Sequence, residues 1–169
     1  MKNLRGFKQK LSLISQLCVE GDCDRAVVEV ESLLENWPGN AHLHVLWASL
    51  VQLQEDPKHE LDEARKALQQ AVELDRGSPA AAIELGYFLD NIEDDPRAAL
   101  KVYAEGVGAA RQLLIEALIG QAKAFRQLDK QKEFDRCLME LLLLARFETG
   151  PYVEQIQDLL KEAALNHST

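Results

Sequence analysis

The sequence predicts an all-α protein built as an array of antiparallel helix pairs, and three features indicate this fold. Ala, Glu, Lys, Leu and Arg make up about half of the 169 residues, a composition typical of long helices. Apolar residues recur at helical spacing in successive segments, so each segment has one apolar face. Small residues recur in these segments at intervals of about 35 residues, which indicates a repeated helix pair. A single pair cannot bury its apolar face, so neighbouring pairs are expected to stack.

The predicted helical segments are separated by short polar breaks that contain proline or glycine. Trp37-Pro38-Gly39 and Arg76-Gly77-Ser78-Pro79 end two of the repeats, and Thr149-Gly150-Pro151 precedes the last segment. Glycine just past a helix end and proline in a first turn are both favoured at such junctions. The predicted helices cover residues 4–20, 24–36, 41–54, 61–75, 79–92, 96–110, 114–128, 133–146 and 152–165.

Small side chains are predicted where helix backbones approach one another, because a larger side chain there would overpack the interface. The series in the second helices has spacings of 38, 35 and 38 residues, and each member has an apolar residue one turn later. The predicted packing residues of both series are Ala26, Ala48, Ala64, Gly86, Ala99 and Cys137.

These helix pairs resemble tetratricopeptide repeats. The resemblance rests on Leu85-Gly86 with Ala99 and Tyr103, and on Glu63-Ala64. It implies a right-handed superhelical array of about four repeats, at residues 7–40, 41–78, 79–113 and 114–150, followed by a capping helix at 152–165. The whole chain, 1–169, is then expected to form a single domain.

Charge and composition limit the classes of partner and the compartment. The net charge is −9, and 18 of the 28 acidic residues lie between positions 11 and 100, where only 6 of the 19 basic residues lie. This argues against nucleic acid as a partner, because nucleic-acid binders present basic surfaces. The longest apolar run, at 141–145, is far too short to cross a membrane. Three cysteines are too few for a disulfide scaffold, so we expect a cytoplasmic protein.

The sequence contains no motif for catalysis, and we expect neither enzymatic activity nor a cofactor or metal. No nucleophile elbow, phosphate-binding loop or dinucleotide fingerprint occurs. His42 and His44 lie two residues apart and would point to different sides of a helix. Cys18 and Cys23 do not have the paired spacing of zinc ligands.

The resemblance also implies a concave groove lined by the first helix of each pair. An apolar row would run beside a polar row, which suits an extended peptide or a helix. Tyr87 is the expected anchor, because aromatic residues dominate binding hot spots. The alternative is that Tyr87 and the isoleucines close the groove against the next helix. The predicted groove residues are Leu11, Ser15, His42, Val45, Ser49, Ile83, Tyr87, Asp90, Asn91, Ile119, Lys123 and Arg126.

We therefore expect a non-enzymatic interaction scaffold that holds a peptide or helix of a partner protein. The places that bind carboxylates in some tetratricopeptide domains include Leu11, Ser15 and Glu84 here, so the ligand is expected to be neutral or basic, with apolar anchors. A small acidic chaperone for secretion-system or other aggregation-prone clients is a second hypothesis. Self-assembly, for example as a homodimer, is a third, because the ends of a repeat array must be capped or paired.

Overall fold

The computed structural model describes residues 4–55, 57–145 and 152–166, and α-helices are its regular elements throughout these ranges. Because no strand occurs among these described residues, the predicted all-α class is confirmed. The helices follow one another in the order α1 (Leu4–Glu20), α2 (Cys23–Asn36), α3 (Ala41–Val51), α4 (Leu61–Leu74), α5 (Pro79–Asn91), α6 (Pro96–Gln127), α7 (Gln131–Ala145) and α8 (Tyr152–Asn166).

The chain divides into two compact units, Met1–Val107 and Gly108–Thr169. Unit 1 contains α1 to α5 and the first part of α6, and unit 2 contains the rest of α6, α7 and α8. The expectation of a single domain over 1–169, with repeats ending at residues 40, 78, 113 and 150, stays a prediction.

One predicted break between helices is absent. The sequence analysis placed separate helices at 96–110 and 114–128, whereas α6 runs without interruption from Pro96 to Gln127. The reason is local, because residues 109–113 include no glycine, no proline and no capping side chain. A stretch of good helix formers continues a helix unless a residue stops it.

Three helix starts in unit 1 are fixed by side chains that bond otherwise unsatisfied backbone N–H groups. The carboxylate of Asp22 accepts from Arg25 N at 3.2 Å at the start of α2, and Asn40 Oδ1 accepts from Leu43 N at 3.2 Å at the start of α3. Asp95 accepts from Ala98 N at 2.9 Å where α6 begins. Polar residues at the starts of α2, α3 and α6 therefore set the boundaries of these helices.

The same left-handed backbone conformation recurs after three helices. Gly21 has φ +80°, Asp94 has φ +52° and Asp129 has φ +53°. Glycine adopts this region without a steric penalty, and aspartate tolerates it better than most residues. After α1, Asp22 N donates to Leu17 O at 2.9 Å, and after α6, Lys130 N donates to Phe125 O at 2.9 Å. These bonds satisfy carbonyl groups that the helix end would otherwise leave without a donor.

A continuous hydrophobic core in unit 1 runs through α1 to α5 and the start of α6. Its largest fully buried side chain is Phe88 of α5. Ala26, Ala48 and Ala64 are completely buried in this core, and Gly86 and Ala99 are buried as well. Burial of such small residues lets neighbouring helices come close, and a larger side chain there would have to displace a helix.

Helices α5 and α6 approach each other closely at Gly86 and Gly106. A Cβ atom built on Gly86 would lie 2.6 Å from Cδ1 and 2.8 Å from Cζ of Tyr103. A Cβ atom on Gly106 would lie 3.2 Å from Ala82 Cβ. Any side chain at position 86 would displace the ring of Tyr103, so the observed packing requires glycine there.

Unit 2 has its own core, formed by apolar side chains from three helices. The core residues of α6 are Ile115, Leu118, Ile119 and Ala122, those of α7 are Phe134, Cys137, Leu138 and Leu141, and those of α8 are Ile156 and Leu159. Cys137 is buried, and its thiol donates to Gln121 Oε1 at 3.3 Å. Helix α8 thus contributes to the core at the place where a capping helix over 152–165 was predicted.

Candidate binding surface

Helix α5 carries an exposed face that includes four of the predicted groove residues. Ile83 lies four residues before Tyr87, and Asp90 and Asn91 lie three and four residues after it, so all four project on the side of the helix that carries Tyr87. We call these four residues the α5 face. Ile83 is 39 % exposed and Tyr87 is 55 % exposed, and both polar residues are exposed. Exposed apolar side chains that cluster in this way mark candidate interaction surfaces.

The ring of Tyr103, from α6, holds Tyr87 in its exposed position. The two ring centroids lie 5.9 Å apart and the ring planes meet at 83°, an edge-to-face arrangement that aromatic pairs favour. Tyr103 can reach this position because Gly86 has no side chain. The small residue that the repeat pattern requires at position 86 therefore also shapes the surface beside it.

Two carboxylates lie one helical turn from Tyr87 on α5, Glu84 before it and Asp90 after it. Burial raises the pKa of the Tyr103 phenol above its ordinary value, and the negative charges of Asp90 and Glu84 raise it further, because both disfavour the phenolate. Asp90 is exposed and Glu84 is half-buried. In the part of the chain that the structure describes, neither carboxylate forms a salt bridge. The surface beside Tyr87 is therefore aromatic and negatively charged.

Polar groups on the predicted groove helices are partly engaged within their own helices. Asn91 Nδ2 donates to the carbonyl oxygen of Tyr87 at 3.0 Å, and Ser49 Oγ donates to the carbonyl oxygen of Val45 at 3.0 Å. Asn91 is exposed, and its side-chain oxygen is an acceptor that this bond does not use. These side chains can offer acceptors to a ligand more readily than donors.

The predicted groove residues of α1 and α3 are placed less openly than those of α5. Leu11 and Val45 are half-buried and pack against the unit 1 core, while Ser15 and His42 are exposed. Helices α3 and α5 are in contact, so Val45 belongs to the same part of unit 1 as the α5 face. The most accessible apolar surface among the predicted groove residues is therefore that of Ile83 and Tyr87.

Of the three predicted groove residues in unit 2, one is buried and two are exposed. Ile119 is only 4 % exposed and belongs to the unit 2 core, so it cannot line an open groove as expected. Helix α8 accounts for this, because it contributes Ile156 and Leu159 to the same core. Lys123 and Arg126 are exposed and line a cleft of about 470 Å³ together with Gln127, Gln155, Asp158 and Leu159. Lys123 Nζ donates to Gln155 Oε1 at 3.5 Å across this cleft.

Sequence reasoning missed a polar cluster around His59, in the loop between α3 and α4. His59 Nε2 lies 2.9 Å from Glu31 Oε1, and His59 Nδ1 lies 3.6 Å from Glu63 Oε2. Trp47 Nε1 donates to Glu31 Oε1 at 3.2 Å, and its ring meets the imidazole edge-to-face at 5.0 Å. These residues come from α2, α3, the loop and α4, so no spacing in the sequence could have indicated the cluster. The contacts attach this loop to three helices.

Tyr103 was also missed as a surface residue, because the sequence analysis used it only as an apolar position in the repeat. The signal that could have found it is the pairing of Gly86 with an aromatic residue in the next helix. A glycine inside a helix that lacks a turn or cap role often marks a close approach by a neighbour.

Across residues 4–55, 57–145 and 152–166, no helix combines the length and apolar character that a membrane span requires. In the same ranges, no group of three or more His, Cys, Asp or Glu side chains is arranged to hold a metal ion.

Comparisons with known proteins identify a fold and no family. No protein-family model matches the chain, and no curated protein matches it in sequence. Among solved structures, it is similar to the crystal structure of PilW, a widely conserved type IV pilus biogenesis factor. The match has a TM-score of 0.52 and 14 % sequence identity, and it covers 95 % of this chain and 89 % of the PilW chain. The likeness concerns the fold alone, and it agrees with the all-α class.

Proposed function

We propose that this protein is a non-enzymatic interaction scaffold that binds a peptide or helix of a partner protein in unit 1. The observation that carries the proposal is the exposed α5 face, on which Ile83 and Tyr87 stand beside Asp90 and Asn91. Apolar anchors supply most of the affinity in such recognition, and flanking polar groups fix the register of the ligand.

The fold supports this proposal because stacked helix pairs form extended surfaces suited to peptides and helices. Val45 on α3 is half-buried against the core of the same unit, and α3 and α5 are in contact. A free segment of the partner is expected to bind with a Kd of about 1 μM, near −8 kcal/mol, because ordering a disordered ligand offsets part of the contact energy.

The ligand in this proposal is neutral or basic and carries apolar anchors. An acidic ligand would be repelled by Asp90 and Glu84, which lie one helical turn from Tyr87 on α5. A cytoplasmic location belongs to the same proposal. It is supported by the thiols of Cys18, Cys23 and Cys137, which are free in the described structure.

The test is a comparative capture from lysate of the source cells, analysed by mass spectrometry. Tyr87→Ala is compared with the wild-type chain and with Val28→Ala, because Val28 on α2 is 54 % exposed and matches Tyr87 in accessibility. Circular dichroism checks that all three chains are equally helical. We expect a protein that wild type and Val28→Ala retain and that Tyr87→Ala loses by at least about tenfold, the effect of 1.4 kcal/mol.

Two results would contradict the proposal. Equal capture by all three chains would place the interface outside the α5 face. Capture of nothing except further copies of this chain, with a dimer in light scattering, would support self-assembly instead. A captured client that is insoluble without this protein, lost with Tyr87→Ala, would sharpen the function to that of a chaperone.

A further inference from the structure

We propose that Tyr87, Tyr103, Asp90 and Glu84 form a cradle for one arginine side chain of the bound partner. This inference rests on the proposed function, because it assigns chemistry to part of the same surface. The proposed function allows a neutral or a basic ligand. The inference is narrower, because it requires an arginine at one position of the partner segment.

The aromatic half of the cradle is preformed. Tyr87 and Tyr103 meet edge-to-face at 5.9 Å, and more than half of the Tyr87 side chain is accessible. A cation over a tyrosine ring, within about 6 Å of its centre, is attracted by the negative ring face. No rearrangement of the helices is needed to present the ring, since Gly86 already fixes the position of Tyr103.

The acidic half of the cradle consists of Asp90 and Glu84. Some other acidic residues of unit 1 are paired: Glu29 lies 3.0 Å from Lys10 Nζ, and Asp62 forms salt bridges with Lys66 and Arg65. Asp90 and Glu84 form no such pair among the residues that the structure describes. Both lie three residues from Tyr87 on α5, one helical turn to either side, and their negative charges raise the pKa of Tyr103. A cationic ligand group would meet both an aromatic surface and uncompensated negative charge.

Arginine fits this combination better than lysine. Its planar guanidinium group stacks on aromatic rings and bonds a carboxylate with two parallel N–H groups, whereas the ammonium group of lysine is a compact, strongly hydrated charge. We therefore expect arginine to bind most tightly, lysine more weakly, and a neutral isostere of arginine least.

The experiment is an NMR titration of the full-length 15N-labelled chain with three small probes. These are N-acetyl-arginine amide, N-acetyl-lysine amide and N-acetyl-citrulline amide, the last being nearly isosteric with the first but uncharged. The arginine probe is expected to shift the amides of Gly86, Tyr87 and Asp90. Binding of the citrulline probe is expected to be at least about fivefold weaker, the loss that corresponds to 1 kcal/mol for an exposed cation–π contact.

Variants separate the parts of the cradle without disturbing the core. Tyr87→Phe keeps the ring and is expected to keep binding, whereas Tyr87→Leu is expected to lose it. Asp90→Asn is expected to weaken binding of the arginine probe and to leave binding of the citrulline probe unchanged. Tyr152→Phe, in unit 2, is the control and is expected to have no effect on either probe.

Equal shifts with the arginine and citrulline probes would overturn the inference, as would shifts confined to other residues or no shifts at all. So would a Tyr87→Leu chain that binds as the wild type does. These results leave the capture experiment to decide the proposed function separately. Loss of a captured partner with Tyr87→Ala, together with indifference to the charge of the probe, would keep the α5 face as an interface and remove the arginine cradle.

Discussion

Ile83 in unit 1 and Ile119 in unit 2 occupy corresponding positions in the repeat pattern, 36 residues apart. Each lies three residues before the small residue of its helix, Gly86 in one case and Ala122 in the other. Ile83 is 39 % exposed, whereas Ile119 is 4 % exposed. One sequence pattern thus gives an accessible surface in the first unit and a core position in the second.

Helix α8 explains the difference within unit 2. It contributes Ile156 and Leu159 to the core that contains Ile119. In unit 1, α6 covers only part of the corresponding face: a Cβ atom on Gly106 would lie 3.7 Å from Ile83 Cγ1, and Tyr103 meets Tyr87, but Ile83 and Tyr87 remain 39 % and 55 % exposed. An apolar side chain in a repeat therefore becomes surface or core according to whether another helix covers its face, and the repeat pattern alone does not specify this.

The largest expected effect comes from removing the main aromatic core residue of either unit, and it tests whether the two units unfold separately. Phe88→Ala and Phe134→Ala each remove a ring that is 1 % exposed and are expected to cost about 3–5 kcal/mol of unfolding free energy. Both tryptophans, Trp37 and Trp47, lie in unit 1, so their fluorescence reports that unit while far-ultraviolet circular dichroism reports both. In urea, Phe88→Ala should lower the fluorescence midpoint strongly, and Phe134→Ala should lower it less than the dichroism midpoint.

Coincident midpoints from the two probes in both variants would contradict that expectation. They would mean that the two units unfold as one cooperative body, despite their separate core clusters.

The two isoleucines give the most direct test. Ile119→Ala leaves a cavity in the core and is expected to cost about 2–4 kcal/mol. Ile83→Ala is expected to cost less than about 1 kcal/mol, because much of the side chain is already in water. Urea unfolding of the two variants, measured side by side, gives both values. Similar losses would show that the exposed and buried isoleucines contribute alike to stability.

Two glycines inside helices should respond to alanine with opposite signs. Gly86→Ala places a Cβ atom against the ring of Tyr103 and is expected to lower the unfolding free energy by about 1–2 kcal/mol through overpacking. Gly120→Ala, in unit 2, places its Cβ atom in open space. It is expected to raise the unfolding free energy by about 0.5–1 kcal/mol, because alanine has a higher helix propensity than glycine. Thermal unfolding of both variants checks the signs. A stabilised Gly86→Ala chain would mean that the Tyr103 ring moves aside at little cost.

The smallest expected effect concerns tyrosine ionisation. The pKa values of Tyr103 in unit 1 and Tyr152 in unit 2 are both raised, the first mainly by burial and the second mainly by its hydrogen bond to Glu116. Glu116→Gln should therefore lower the pKa of Tyr152 and leave that of Tyr103 unchanged. Spectrophotometric titration of tyrosinate absorbance measures this, with Tyr152→Phe identifying which transition belongs to Tyr152.

The sign of the pH effect on stability follows from linkage. A phenol whose pKa is raised in the folded state contributes its full stability below the unfolded-state pKa of about 10. That contribution is lost as pH rises through the higher folded-state value. Stability that rose above pH 10 would contradict the direction of both shifts.

Several elements followed from local sequence signals. The predicted start and end of α1 agree with the structure, and polar residues such as Asn40 mark helix starts because they bond the first free N–H groups. The positions of the six small residues are buried in the structure because close packing excludes larger side chains. Local propensity also explains the error in α6, since the chain between residues 109 and 113 has no helix breaker and the expected boundary came from the repeat length alone.

The sequence by itself determined the all-α class, most helix boundaries and the spacing of the packing residues, because these depend on interactions within one or two helical turns. Only the tertiary structure decided that Ile119 is core, that Tyr103 lies beside Tyr87, and that His59 joins Glu31 and Glu63. Apart from His59 and Glu63, which are four positions apart, the residues in these contacts are distant in sequence: Tyr87 and Tyr103 are 16 positions apart, and His59 and Glu31 are 28 apart. Helix packing brings them together. Periodicity defines which face of a helix is apolar, but the neighbour that covers that face is selected by the packing of the whole unit.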